Sequence, residues 1–541
     1  MINIIPKPNS LKENKGKKKL SKASKIVIDS ELIEIKSTLL NEFKLFNESN
    51  IVSGENGKDI HFSFDNTLKN ESYKIFCDEQ TLLISAAGFA GAFYAVQSLK
   101  QMLFFDLAEN KAEVEIPCVE IIDEPRYKHR GVQIDESRHF FGKAAIKRII
   151  DLMAFYKLNV LHWHLTDDQG WRIEIKKYPL LTQIGAFRED SAINGWNQCE
   201  KEGKPHGGFY THEDIREVIK YALERNITIN PEVDMPAHFS AAFAAYPWLS
   251  CSGEKTTVPW HFGGKTPVMA GLDKDWFKSA CMGKETTFEF VFAIIDELAE
   301  LFPSKYIHIG GDEAPVADWE KCPNCKKLME EKGIKNGHDL QGYFTNIVND
   351  YAKTKGKNII VWNEALAAVK LDNTVIGQYW TEHTDKNVIR HMENGGKIII
   401  SKHQSFYFDM CYCQYPLTNT YNFNPTEKMI SENLASQVLG MEGVIWTEWI
   451  PTIEKLDLQL FPRMEALSEI CWTEPKNKNL NDFKKRLKND EKILTSLGVN
   501  YAEDEISMPK GKFRRLRETN IWYQKNQDRE LERNREIKKK R

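Results

Sequence analysis

From about residue 125 the apolar positions alternate between short continuous runs and longer stretches with helical spacing. Gly131–Asp135 reads as a first strand, Lys143–Tyr156 as a helix and Asn159–Leu165 as a second strand. His212–Glu224 (helix), Asn226–Val233 (strand), Thr286–Leu301 (helix) and Tyr306–Ile309 (strand) continue the rhythm. After the helix Leu340–Ala352 come strands at Asn358–Trp362 and Thr374–Trp380, a short helix at Val388–Glu393, a strand at Lys397–Ser401 and an eighth within Val438–Trp446. Eight strand–helix units in sequence predict an α/β fold of the (β/α)8 barrel type over residues 125–475. A doubly wound sheet is the competing arrangement. It is disfavoured because no Gly-rich phosphate loop follows the first strand and polar residues end nearly every strand.

Residues 1–124 have a different pattern. Short alternating segments (Lys25–Ile28, Asp59–Phe64) lead into strands at Glu71–Cys77 and Thr81–Ala86 and a helix over Gly88–Leu103, whose Phe89, Phe93, Val96, Leu99 and Leu103 share one face. This predicts a small α+β domain without a catalytic cluster. Residues 476–541 read as a helical, polar extension, with twelve Lys or Arg against five Asp or Glu between Gly511 and Arg541. A solvated helix with a disordered end is the expectation for that basic tail.

Composition narrows the function classes. A net charge of -3 over 541 residues excludes a nucleic-acid-binding surface as the main theme. No run is long and apolar enough to span a membrane, and the start MINIIPKPNS lacks a signal-peptide pattern, so the chain reads as cytoplasmic, or as periplasmic or extracellular if a leader has been removed. Ten cysteines are too few for a disulfide scaffold. Cys322–Cys325 is a C-x-x-C without a second pair at zinc-site spacing, so a local disulfide or free thiols are expected in preference to a structural zinc, and Cys251 and Cys281 are placed to pair across a loop in an oxidising compartment.

In a barrel the C-terminal strand ends converge on one face. Those ends carry Asp135 and Arg138; His162, His164, Asp167 and Asp168; Glu232, Asp234 and His238; Asp312 and Glu313; Trp362, Asn363 and Glu364; Trp380; Tyr407 and Asp409; Trp446 and Glu448. Two long connections, Asp167–Tyr210 and Ala237–Lys284, bring Trp248, Trp260 and Trp276 to the same end. Carboxylates, tryptophans and one arginine suit a neutral polyhydroxylated ligand, with the aromatic rings as apolar platforms. His162, His164 and Asp167 are conceivable metal ligands, but no H-E-x-x-H spacing accompanies them, and supporting or core histidines are the expected reading. Within Lys305–Glu313 a strand ends in Gly-Gly and opens onto adjacent acids, Asp312 and Glu313. Neighbouring carboxylates cannot easily flank an anomeric carbon in the usual two-carboxylate manner, so the pair is expected to act from one side.

The chain resembles glycoside hydrolase family 20, the β-N-acetylhexosaminidases, from Ile4–Pro8 to about Trp472. The resemblance is carried by Gly91–Leu99, Gly131–Arg138, His162–Arg172, Pro231–His238 and His308–Glu313. It implies retaining, substrate-assisted hydrolysis, in which the substrate's 2-acetamido oxygen attacks the anomeric carbon and water later opens an oxazolinium intermediate. Glu313 is then the general acid and base, with burial and Asp312 holding its pKa upward; Asp312 accepts from the acetamido N–H, and Tyr407 donates to the acetamido oxygen. Arg138, Asp409 and Glu448 match groups that bind sugar hydroxyls, and Trp362, Trp380 and Trp446 match the aromatic walls. Asp167, Asp234 and His238 resemble the supporting network.

The expected activity is an exo-acting β-N-acetylhexosaminidase, without cofactor, on N-acetylhexosamine-terminated glycans or chitooligosaccharides. Release of a disaccharide such as lacto-N-biose, and a non-catalytic glycan-binding barrel, are the alternatives. Oligomeric state is not legible in the sequence.

Overall fold

A computed structural model describes residues 2–53, 59–194, 200–262, 278–428 and 430–540; Trp276 lies outside them. Residues 10–123 build a six-stranded sheet, with Phe89–Ala108 as its principal helix. The alternation read from sequence recovers Ile26–Ile28, Ile60–Phe64, Tyr73–Cys77 and Leu82–Ala86. Two strands of this sheet were not foreseen. Ser10–Ser21 and Glu113–Asp123 pair antiparallel, the first lying at the sheet edge. The edge strand, SLKENKGKKKLS, is mostly exposed and lysine-rich, so it has almost no hydrophobic face to read. Such charge also guards an edge against pairing with another chain.

Eight parallel strands then close into a TIM barrel: His129–Asp135, Val160–His164, Thr228–Glu232, Tyr306–His308, Asn358–Trp362, Ile376–Tyr379, Lys397–Ile400 and Val438–Ile445. The helices between them bury apolar faces against the barrel; in His212–Leu223, for example, Ile215, Val218, Ile219 and Ala222 point inward, and Thr211 closes a capping box with Asp214. Register aligns Asp135 with His164, His164 with Glu232, and Glu232 with His308, placing a row of titratable groups across four neighbouring strands. The barrel interior is therefore polar at its upper level, where many barrels stack branched apolar residues. Asp123 ties the sheet to the barrel, accepting from Tyr73 Oη at 2.6 Å and from Trp472 Nε1 at 2.9 Å.

The C-terminal tail departs from the solvated reading. Leu480–Ser496, Lys512–Gln524 and Arg529–Lys539 are helices, and all three are docked. Glu530 accepts from the backbone N–H groups of Tyr412 and Cys413, each at 3.1 Å, and Arg515 Nε donates to the Cys413 carbonyl at 2.9 Å. Trp522 is buried in the cluster that also contains Trp362, Tyr407 and Met410. Basic residues dominate the count, but an acid, an arginine and a tryptophan hold these helices in place.

Candidate active site

Each barrel strand ends by delivering a side chain to one cleft. The first supplies Asp135 and, one turn on, Arg138. Asp135 accepts from the backbone N–H of Ser137 at 2.7 Å and from Arg138 Nη1 at 3.2 Å. Arg138 also pairs with Asp167 at 2.8 Å, donates to Gln169 at 2.9 Å, and lies 5.1 Å above the Trp446 ring, with Glu448 at 3.9 Å. Burial opposes its charge, but Asp167 and Glu448 outweigh that and hold its pKa well above the ordinary value. A guanidinium so fixed presents its fork without further ordering cost.

Below this lies a network of histidines and acids. Glu232 pairs with His162 at 2.9 Å, with His308 at 2.9 Å and with His164, and it accepts from Trp362 Nε1 at 2.9 Å. His162 turns its other nitrogen to Glu442 at 2.7 Å, and Glu442 also reaches His129. These ring nitrogens thus face carboxylates within the protein, in keeping with the supporting role expected for His162 and His164. Glu442 escaped the sequence reading; a lone acid inside an apolar strand, VLGMEGVI, was the signal that could have found it.

Asp167, Asp234, His238, Asp312 and Glu313 come together. His238 Nδ1 lies 3.1 Å from Asp167 and 3.2 Å from Asp168, while Nε2 faces Asp312 at 3.8 Å and Glu313 at 3.6 Å. Burial disfavours its charge, yet Asp167, Asp168 and Glu313 together outweigh burial and raise the imidazole pKa well above the usual value. Asp167 is itself driven up by burial and, more strongly, down by Arg138 and His238, ending well below the usual range. Asp234 accepts from the Gly311 N–H at 3.1 Å; burial and then the charge of Asp312 push its carboxyl well up.

The two adjacent acids differ. Asp312 has a side chain 14% exposed, whereas Glu313 is 61% exposed. Burial pushes Asp312 up to about 6, His238 opposing and the Glu313 charge adding to the shift. His238 is the largest influence on Glu313 and holds it below its ordinary value. The expectation that burial and Asp312 raise Glu313 is therefore corrected: the raised carboxyl is Asp312, because Glu313 faces solvent and the imidazolium. Glu313 also has φ 49°, left-handed backbone unusual for a non-glycine residue and a mark of imposed local strain.

Around these acids stands an aromatic wall. Trp380 stacks on Tyr407 with ring centroids 5.6 Å apart, and Trp446 lies 5.7 Å from Trp362 and 6.5 Å from Tyr407. Trp362 is fully buried and floors the group, whereas Trp380 and Trp446 are partly open. Glu364 accepts from Trp380 Nε1 at 2.9 Å; burial and then Asp312 push its carboxyl up to about 8. Asp409 is raised well above the usual range by burial and then by Glu448, which burial also raises. Trp522 and the neighbouring Tyr523, from the tail, join this cluster and were missed because nothing in a charged helix announces a distant aromatic partner.

Of the two states expected for Cys322 and Cys325 the structure has free thiols, and the Cys251–Cys281 pairing is not formed. Cys251, Cys281, Cys322 and Cys325 are all free, and their sulfurs converge on one point.

A barrel mouth furnished with carboxylates, a fixed arginine and three tryptophans defines a carbohydrate-active site. The family models "Glycosyl hydrolase family 20, catalytic domain" and "Glycosyl hydrolase family 20, domain 2" match residues 127–475 and 1–124. The chain belongs to glycosyl hydrolase family 20. It is 35% identical to a β-hexosaminidase of Porphyromonas gingivalis over 522 residues, covering 92% of this chain but only 64% of that longer protein. It is 32% identical to a β-hexosaminidase of Vibrio furnissii, covering 86% of this chain and 76% of the relative. Among solved structures, the exo β-N-acetylglucosaminidase of Vibrio harveyi with bound N-acetylglucosamine superposes with a TM-score of 0.80 at 32% identity, over 92% of this chain and 78% of that one. The β-N-acetylhexosaminidase of Bacteroides fragilis gives 0.77 at 30% identity, over 92% and 96%.

Proposed function

We propose that this protein is an exo-β-N-acetylhexosaminidase that removes terminal non-reducing β-linked N-acetylglucosamine, and N-acetylgalactosamine where the pocket admits it, from glycans or chitooligosaccharides. The carrying observation is the placement of Asp312 and Glu313 side by side against one imidazole, within a family-20 barrel. Two acids on the same side of the sugar suit a reaction whose nucleophile belongs to the substrate.

In this reading Glu313 gives its proton to the departing glycosidic oxygen while the acetamido oxygen bonds to the anomeric carbon. Asp312, whose buried Oδ1 has no hydrogen-bond partner among the described residues, accepts from the acetamido N–H and stabilises the positive charge developing on the oxazoline ring. Tyr407, stacked on Trp380, donates to the acetamido oxygen and aligns it for attack. Water then opens the ring, with Glu313 taking its proton. Arg138, Asp409 and Glu448 bind the outer hydroxyls. Arg138 is anchored from three sides and cannot swing away, which supports a pocket closed behind one sugar.

An aryl β-N-acetylglucosaminide and defined oligosaccharides, scored by product size, test the reading. Release of monosaccharide and strong inhibition by an N-acetylglucosamine thiazoline, a mimic of the intermediate, are expected. Disaccharide as the sole product, or indifference to the thiazoline, overturns it.

A further inference from the structure

Four cysteines outside the cleft meet from three separate stretches of chain. The Cys281 sulfur lies 3.8 Å from that of Cys322 and 3.7 Å from that of Cys325, and Cys251 lies 4.0 Å from Cys325. All four sulfurs fall within 4.8 Å of one another, and only Cys251 is not fully buried. A disulfide needs about 2.0 Å between sulfurs, and two bridges would split the group into tight pairs. A zinc ion with four sulfurs at about 2.3 Å has tetrahedral edges of about 3.8 Å, close to the spacings seen here.

The surrounding backbone is shaped to this cluster. Cys322 is the N-cap residue of the helix Pro323–Lys332 and Cys325 lies in its first turn, so both residues stand at the positive end of the helix. The N–H of Gly283 is directed at Cys281 and Cys325. A side chain at 283 would stand 2.1 Å from the Asn324 carbonyl carbon, so only glycine lets the two cysteine loops approach. Other groupings of potential ligands at the cleft, such as His162, Glu232 and His308, have their histidine nitrogens already facing carboxylates of the group. The thiol cluster holds no such compensating pair.

We infer that Cys251, Cys281, Cys322 and Cys325 bind one structural Zn2+ as thiolates, releasing their protons, and that this ion joins the loop after the third barrel strand to the loop after the fourth. Soft sulfur donors in a closed tetrahedron select zinc and leave no open position for chemistry. The site is separate from the hydrolytic cleft but fastened to both of its acid-bearing loops. Ala280, next to Cys281, donates its N–H to the Pro236 carbonyl at 2.8 Å, two residues before His238. Trp319, three residues before Cys322, donates to the Ala280 carbonyl at 2.9 Å, and Glu313 lies a few residues upstream of it.

The test is elemental analysis of the purified full chain, with zinc release by an organomercurial followed with a colorimetric indicator. Roughly one zinc per chain, lost in Cys322→Ser and Cys325→Ser, is expected, and a lowered unfolding midpoint after metal removal should accompany it. If a variant fails to fold, the wild-type chain decides alone. Substoichiometric zinc with four thiols open to Ellman's reagent, disulfides found by mass spectrometry, or stoichiometric iron each overturns the inference.

Discussion

One imidazole sets two neighbouring carboxyls apart. His238 holds Glu313 low while burial lifts Asp312 to about 6, so in the free protein the pair keeps a single proton at mildly acidic pH and loses it as pH rises through about 6. In the proposed reaction the productive form has that proton on Glu313. We therefore expect kcat/KM to fall on the alkaline side from about pH 6, while kcat falls at higher pH, because a bound sugar covers Glu313 and raises it. A kcat/KM profile that is flat between about pH 5 and about pH 8 contradicts this assignment. Glu313→Gln should lower kcat by roughly 10²–10⁴ on natural linkages and much less on aryl glycosides whose leaving group needs no proton. Asp312→Asn should cost roughly 10²–10³ irrespective of leaving group, since it acts on the charge of the ring. Equal leaving-group dependence in the two variants would refute the division of labour.

At the scale of elements, the fourth barrel strand and its Gly-Gly exit decide where the acids stand. Gly310 has φ 64°, and a side chain there would sit 1.7 Å from Asp234 Oδ1. Gly310→Ala should therefore destabilise the protein by about 2 kcal/mol or more and misplace Asp312, measured by denaturant unfolding together with activity. Unchanged stability would mean that Asp234 can move aside. The strand itself was visible in the sequence as YIHI followed by two glycines. Its partners were visible only as types: register along the barrel, not spacing along the chain, brings His164, Glu232 and His308 into one row. The lysine-rich edge strand Ser10–Ser21 was invisible for the opposite reason, as its residues answer to solvent and hardly to the core.

Across the whole molecule, the tail packs into the aromatic cluster that carries Trp362 and Tyr407. Trp522→Ala should cost about 3 kcal/mol, the usual scale for emptying a buried tryptophan site, and should raise KM through Tyr407 and Trp362 in the same cluster. Chemical denaturation and steady-state kinetics check both parts; an unaltered midpoint would show the tail to be an independent appendage. The same long-range logic governs the four cysteines. Chain separation between Cys251 and Cys281 hides their kinship with Cys322 and Cys325, and only the folding of two barrel loops against each other reveals it.

The sequence alone determined the barrel, the adjacent acids and the family, because hydrophobic period and short motifs are local properties written in consecutive residues. Tertiary structure decided which acid carries the raised pKa, which histidines face which carboxylates, where the tail lies and how the thiols converge. Those outcomes depend on burial and on distances between residues far apart in the chain, and electrostatic energies change steeply with both.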